Sequence, residues 1–407
     1  VKDLAATGEK LKAGDLISLG SFARPEPPKA GQTVTVRYDG LPGDPLAVSV
    51  SFSANTGARA TREPVGGLLF YEGYTFRDNT GAVNNPHILG PLFQLYWSEI
   101  EKKPGEFDWR EWDRRLEPWL KAGKKFALRI MWCSSGNWPH PASRTPTPQW
   151  VWDAGAKHAT YELNGTEIPL FWDPIYKRHA RRFMEEVARK FDADERLLFV
   201  DVTPGAETNP YRFRVFNAWR PQFKEEYARV PASDGRTYSD ELWLATVKES
   251  IDASAAIFRR APLLVTLNVA GMSGDRFAEV SEYCVARGFY VGQNGLSPTN
   301  PRPGTKRGDA FLGWAKETRL FFEMVDATGD TLNTLMKRWG KPPVPGAKDE
   351  PDTSTLLDYV KSAEAMQCRY LNVYPEDVLK GTRGMATFDP AWEAALQRGA
   401  AALEGKR

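Results

Sequence analysis

The stretch LLFVDVTPGAETNP (197–210) opens as a run of apolar, strand-forming residues and closes on a carboxylate. Its first six residues have the β-branched and aromatic content of a buried strand. The Pro204-Gly205 pair then marks the turn that ends it. Glu207 follows, framed by Thr208 and Asn209, where a buried strand would emerge from a core. A charge at such a point is costly unless it is paired or put to use.

Working outward, similar short apolar runs recur: GLLFY (67–71), GPLFQLY (90–96), KFALRIMW (125–132), LLVTLNV (263–269), FYVGQ (289–293), RLFFEMV (319–325) and RYLNVYP (369–375). Amphipathic helical patterns separate most of them. DWREWDRRLEPWLKAG opens on Asp108 as a cap and closes on Gly123. DPIYKRHARRFMEEVARKF starts with Asp173-Pro174, cap then first helical position, and sets Ile175, Phe183, Val187 and Phe191 on one side. The gap between the first two strands and the region 296–317 show no clear helix. Eight strands in βα alternation give an α/β fold, a (β/α)8 TIM barrel over residues 66–407. An open doubly wound sheet is the alternative, but no G-x-G-x-x-G or P-loop follows any strand. The long insertions, 133–172, 205–238 and 326–352, all fall on the strand-to-helix side, the catalytic face of such a barrel. Residues 1–65 read differently: QTVTVRYDG and PLAVSVSFS form a small N-terminal β-rich segment around the turn DGLPGDP.

Composition narrows the function classes. The 407 residues are 42% hydrophobic and 26% charged, with a formal net charge of +2, which suits a globular protein and gives no basic footprint for nucleic acid. No apolar run is long enough to span a bilayer, and no signal-peptide pattern stands at Val1. A first residue other than Met leaves room for a removed export signal, and with it a secreted or periplasmic location. Three scattered cysteines and four histidines (His87, His140, His158, His179) make no metal-ligand spacing. Fourteen tryptophans stand out: most belong to the core, but those at strand ends are suited to stacking on sugar rings.

In a barrel the carboxyl ends of the strands converge. Glu207 follows strand four and Glu323 ends the apolar run of strand seven, and the two are expected to face each other from opposite sides of the mouth. That pairing suits glycosidic cleavage, with one carboxyl protonating the leaving oxygen and the other attacking the anomeric carbon, about 5–5.5 Å away from each other in the retaining mechanism.

The segment LFQLYWSEIEKKPGEFDWREWDRRL adds a resemblance. Trp97, Glu101, Pro104, Gly105, Phe107, Asp108, Trp109 and Asp113 follow the second-strand motif of the clan A barrel glycosidases, notably the family 42 β-galactosidases and their relatives. TPQWVWD and FWDPIYKRHARRFMEEVARKF are similar to the same group's third loop and helix, so the likeness covers most of 66–400. It implies a retaining β-glycosidase without a cofactor or metal, with Glu207 as acid/base and Glu323 as nucleophile. It implies an oligo- or polysaccharide substrate, while the near-balanced charge gives no sign of a nucleic-acid or membrane partner. The chain departs from the pattern at Ala206, where the clan usually has an Asn that bonds the sugar 2-hydroxyl, which points to a divergent family. Glu99 and Glu101 are architectural in this motif.

Further substrate-binding candidates come from the other strand ends: Tyr71, Trp97, Trp132, Asn137, Trp138, Asn209, Tyr290, Gln293, Asn294 and Tyr374. Arg129, alone in an apolar run, either holds a carboxylate ionised or forms a buried structural ion pair. Asp201 is expected inside the barrel or paired. Two other classes remain: a carbohydrate-binding barrel that has lost catalysis, motivated by Ala206, and a metal-dependent enzyme using Glu207, Glu323 and Asp326, disfavoured by the lack of histidines at strand ends.

Overall fold

The computed structural model describes residues 32–38, 46–52, 65–72, 80–133, 141–162, 165–210, 221–267, 274–328 and 354–404. The chain separates into two compact units, Val1–Ala58 and Arg59–Arg407. In the first, β1 (Gln32–Tyr38) and β2 (Leu46–Phe52) pair antiparallel, from Gln32 opposite Phe52 to Tyr38 opposite Leu46. Thr35 and Ser49 share a hydrogen bond of 2.7 Å on the exposed face of this ribbon. The turn DGLPGDP lies outside the described residues.

The second unit is a closed parallel barrel of eight strands. In chain order they are β3 (Gly67–Glu72), β4 (Ile88–Leu95), β5 (Phe126–Ile130), β8 (Leu197–Asp201), β9 (Leu263–Thr266), β10 (Tyr290–Leu296), β11 (Leu320–Met324) and β12 (Cys368–Val373), which pairs back to β3. The insertion after β5 carries an antiparallel hairpin, β6 (His158–Tyr161) with β7 (Thr166–Pro169), that the sequence pattern did not announce.

Helices fill the connections: α1 (Thr80–Val83), α2 (Trp97–Ile100), α3 (Arg110–Lys121), α4 (Gln149–Asp153), α5 (Pro174–Phe191), α6 (Pro221–Arg229) and α7 (Asp240–Ile257). They continue with α8 (Gly274–Val285), α9 (Lys306–Trp314), α10 (Leu356–Ala365), α11 (Pro375–Lys380) and α12 (Pro390–Glu404). Their starts are chemically specified. Asp173 accepts from the Ile175 and Tyr176 amides at 2.9 and 3.0 Å, with Pro174 in the first turn. Thr355 and Asp358 form a reciprocal capping box at α10.

Two expectations change. Helix α3 begins at Arg110 rather than at an Asp108 cap; Asp108 instead accepts the Arg110 amide at 3.2 Å, one turn position earlier than a cap would. The region 296–317 does hold a helix, α9, started by Thr305 accepting the Gly308 amide at 3.1 Å. Two glycines in nine residues, KRGDAFLGW, dilute its helical signal.

Strand alternation sorts the barrel interior into layers. Leu69, Leu92, Ala127, Phe199, Leu264, Phe321 and Tyr370 form an apolar plug inside the ring, with Tyr290 packed against it. Two positions further along each strand stand Tyr71, Gln94, Arg129, Asp201, Thr266, Glu323 and Asn372, all buried. On β10 the matching position is Asn294; Gly292 takes the plug position, where a Cβ would lie 2.5 Å from the Phe321 carbonyl oxygen. The opposite parity, Phe70, Phe93, Leu128, Val200, Val265, Phe322 and Leu371, points outward, and all seven join the larger core under the helices. An apolar plug capped by a polar layer at the carboxyl ends of the strands positions the site.

Candidate active site

Arg129 is the hub of the polar layer. Its Nε donates to Asp201 Oδ2 at 2.8 Å, Nη1 to Glu323 Oε2 at 2.8 Å and Nη2 to Asn294 Oδ1 at 3.2 Å. The guanidinium lies 5.6 Å above the Phe321 ring, so the charged layer rests directly on the plug. Asn294 then donates Nδ2 to Glu207 Oε1 at 3.0 Å, and Asn372 donates Nδ2 to Glu323 Oε2 at 2.8 Å. Asp201 Oδ1 accepts the Thr203 amide at 3.1 Å and its hydroxyl at 2.5 Å, and Thr203 reaches Thr266 at 3.0 Å. Glu207 and Glu323 thus belong to one connected set: carboxylate, amide, guanidinium, carboxylate. Their strands, β8 and β11, are separated by β9 and β10, so they are not diametrically opposed as expected.

Glu207 is presented by an unusual turn. Residues 206–209 close on themselves, the Ala206 amide donating to the Asn209 carbonyl at 2.7 Å and the Asn209 amide back to Ala206 at 3.1 Å. Both central residues are left-handed, Glu207 at φ 57° and Thr208 at φ 66°. This is the backbone of a type I′ turn, normally given to Asn-Gly, here built from Glu-Thr. A β-branched residue in that region is strained by about 1–3 kcal/mol. Surrounding bonds hold it: the Trp243 indole donates to the Thr208 carbonyl at 2.8 Å, and the Thr208 amide to the Pro204 carbonyl at 3.0 Å. At Gly205, with φ +69°, a Cβ would sit 2.8 Å from the Asn209 carbonyl oxygen. Asn209 is fully buried and closes the turn.

Burial pushes the Glu323 carboxyl above its ordinary value, and the negative charge of Glu207 adds to this; Arg129 and the Asn372 amide pull it back without cancelling the rise. For Arg129 burial works against the charge, but Glu323 and Asp201 outweigh it and hold the guanidinium protonated. Of the two sequence readings of Arg129, the buried ion pair is present; its pull on the Glu323 carboxyl does not offset burial.

The other candidates divide. Tyr71 and Tyr374 meet edge to face at 5.4 Å between ring centroids beside the polar layer, and Gln94 donates to the Tyr71 hydroxyl at 2.7 Å. Tyr290 does not reach the mouth; it opens β10 four residues before Asn294 and packs in the plug, 6.0 Å from Tyr370. Gln293, one residue from Asn294, has the outward parity and is buried toward the helices. Trp97 is a core residue, stacked on Phe183 at 5.2 Å. Its indole donates to Glu101 Oε2 at 2.7 Å; Glu101 is fully buried, takes the Gly105 amide at 2.6 Å and pairs with Arg182. Trp132 also lies outside the ring, lining a cavity of about 450 Å³ between α5 and α7 with Phe171, Tyr176 and Met184. Asn137 and Trp138 lie outside the described residues. Among the described residues no cluster of His, Cys, Asp and Glu could hold a metal ion, and no helix is long and apolar enough to cross a membrane.

Sequence reasoning passed over Asn372, Gln94 and Thr266 as site residues. The signal was available: in RYLNVYP and GPLFQLY a single amide interrupts an apolar strand near its end, at inward parity.

No family model matches the sequence, and no curated protein matches it. Among solved structures, the catalytic domain of β-amylase from Paenibacillus polymyxa is similar over 75% of this chain and 91% of its own, at 10% identity and a TM-score of 0.48. The β-galactosidase from Marinomonas ef1 is similar over 76% of this chain at 14% identity and TM-score 0.46, and that from Bacillus circulans sp. alkalophilus over 77% at 12% and 0.46. This chain spans about half of each β-galactosidase, 53% and 50%. The functional reading rests on the chain's own residues.

Proposed function

We propose that the chain is a retaining β-glycosidase of the clan A type that acts on oligo- or polysaccharides without a cofactor. The observation that carries this reading is the connected set at the barrel mouth, in which Asn294 and Arg129 join Glu207 to Glu323. Glu323 is the nucleophile. Arg129 and Asn372 both bond its Oε2, and no described residue bonds Oε1, which is therefore the oxygen turned to the anomeric carbon. Glu207 protonates the leaving oxygen in the first step and deprotonates water in the second. Tyr71 and Tyr374 supply the adjoining aromatic wall.

Glu323→Gln abolishes turnover of activated aryl β-glycosides under this reading. Glu207→Ala keeps part of it when the leaving group needs no proton, and added azide raises its rate with a β-glycosyl azide as product. Full activity in Glu323→Gln rules out the assignment, and an α-configured azide product from Glu207→Ala rules out Glu207 as the acid/base of a retaining enzyme. Ala206 favours a second reading, a barrel that binds sugar without cleaving it; calorimetry would then show saturable binding with no product on long incubation.

A further inference from the structure

Asn294 has a chemically fixed orientation. Arginine has donors only, so the atom facing Arg129 Nη2 at 3.2 Å must be the amide oxygen, and the NH2 group is thereby turned to Glu207 Oε1 at 3.0 Å. Arg129 is itself fixed by two buried carboxylates, Asp201 and Glu323. Building on the glycosidase reading, we propose that Asn294 is a positioning residue that decides which oxygen of Glu207 carries the catalytic proton.

A protonated carboxyl has one O–H and one carbonyl oxygen. The oxygen that accepts the Asn294 N–H is the carbonyl one, so the proton resides on Oε2. In the first step the Oε2 proton passes to the glycosidic oxygen as the bond from that oxygen to the anomeric carbon breaks and Glu323 Oε1 bonds to the carbon. The alcohol departs, Glu207 is left as carboxylate and Glu323 as ester. In the second step water gives a proton to Oε2 while its oxygen displaces Glu323, restoring both groups. The Asn294 bond strengthens when Glu207 becomes charged, so it favours the proton's departure more than the ground state. The left-handed 206–209 turn fixes the backbone of Glu207, and the Asn294 bond acts on the rotation of its carboxyl plane.

The test compares wild type with Asn294→Ala and the near-isosteric Asn294→Asp, which retains an acceptor for Arg129 but offers Glu207 no amide N–H. Values of kcat/KM are measured on two aryl β-glycosides of the same sugar, one with a 2,4-dinitrophenyl leaving group and one with a phenyl group that needs protonation. The ratio between the two substrates is expected to shift by about tenfold or more against the phenyl glycoside, the scale of one hydrogen bond to a charged group. Damage to structure alone lowers both substrates together. Equal losses on the two, or no loss, with wild type active, overturn the role of Asn294 and leave the glycosidase reading standing. No turnover by wild type across a panel of aryl glycosides overturns both.

Discussion

Replacing Arg129 by Met removes the guanidinium that pairs with two buried carboxylates, Asp201 and Glu323. With charge centres about 4 Å apart and an effective dielectric constant of about 20, each ion pair represents about 4 kcal/mol of attraction. Losing that attraction lifts the Glu323 carboxyl further above its already elevated position. Under the proposed mechanism Glu323 must be ionised to attack, so activity rises with pH through its titration. The acidic limb of kcat/KM against pH, which reports the free enzyme, is therefore displaced upward in Arg129→Met. The loss relative to wild type is therefore greatest on the acid side and shrinks as pH rises. Urea unfolding of the same variant shows a loss of about 3–5 kcal/mol, the cost of breaking a buried pair by removing one partner. Arg129→Lys keeps the charge, so its limb moves less, and it serves as the comparison if Arg129→Met does not fold. A folded variant with an acidic limb unmoved within experimental error would falsify the coupling of Arg129 to Glu323.

Thr208→Gly relieves the left-handed strain and gains about 1 kcal/mol in urea unfolding while lowering kcat through a looser Glu207; a less stable variant contradicts the strain. Glu101→Ala strips a buried acceptor from Trp97, Gly105 and Arg182, costing about 2–4 kcal/mol by denaturation, yet the folded fraction keeps its kcat. A selective loss of kcat there would make Glu101 functional. Burial raises the Glu72 carboxyl from 4.5 to about 7 against the opposing pull of Arg115. The folded chain then binds that proton more tightly than the unfolded one, so stability declines as pH climbs from about 4.5 to about 7. Glu72→Gln flattens that decline; an unchanged pH dependence of the unfolding midpoint shows that Glu72 is not its source.

The barrel was legible because each of its strands is a short apolar run between turn signals, a pattern that survives without knowing any contact. Glu207 and Glu323 were legible as carboxylates at strand ends. What the pattern did not separate was parity. Gln293 and Asn294 are neighbours in sequence, yet one faces the helices and the other the mouth, since a single step reverses a strand's side chains. Tyr290 shares the parity of Asn294 but enters one layer deeper, among Phe199 and Tyr370. Trp97 and Trp132 follow their strands on the outward side, where size and aromaticity serve packing. Strand-end position alone therefore overstates the site, and inward parity in the layer at the carboxyl ends of the strands selects it.

The mirror-image hand of the Ala206–Asn209 turn has a consequence for how this chain can change over time. A hairpin of that hand has no spare residue: lengthening or shortening it by one would swap the twist and swing Glu207 away from Asn294. Insertions and deletions can accumulate in the loops beyond it, diversifying what the mouth accepts, but the four residues that aim the carboxylate are held to a fixed count.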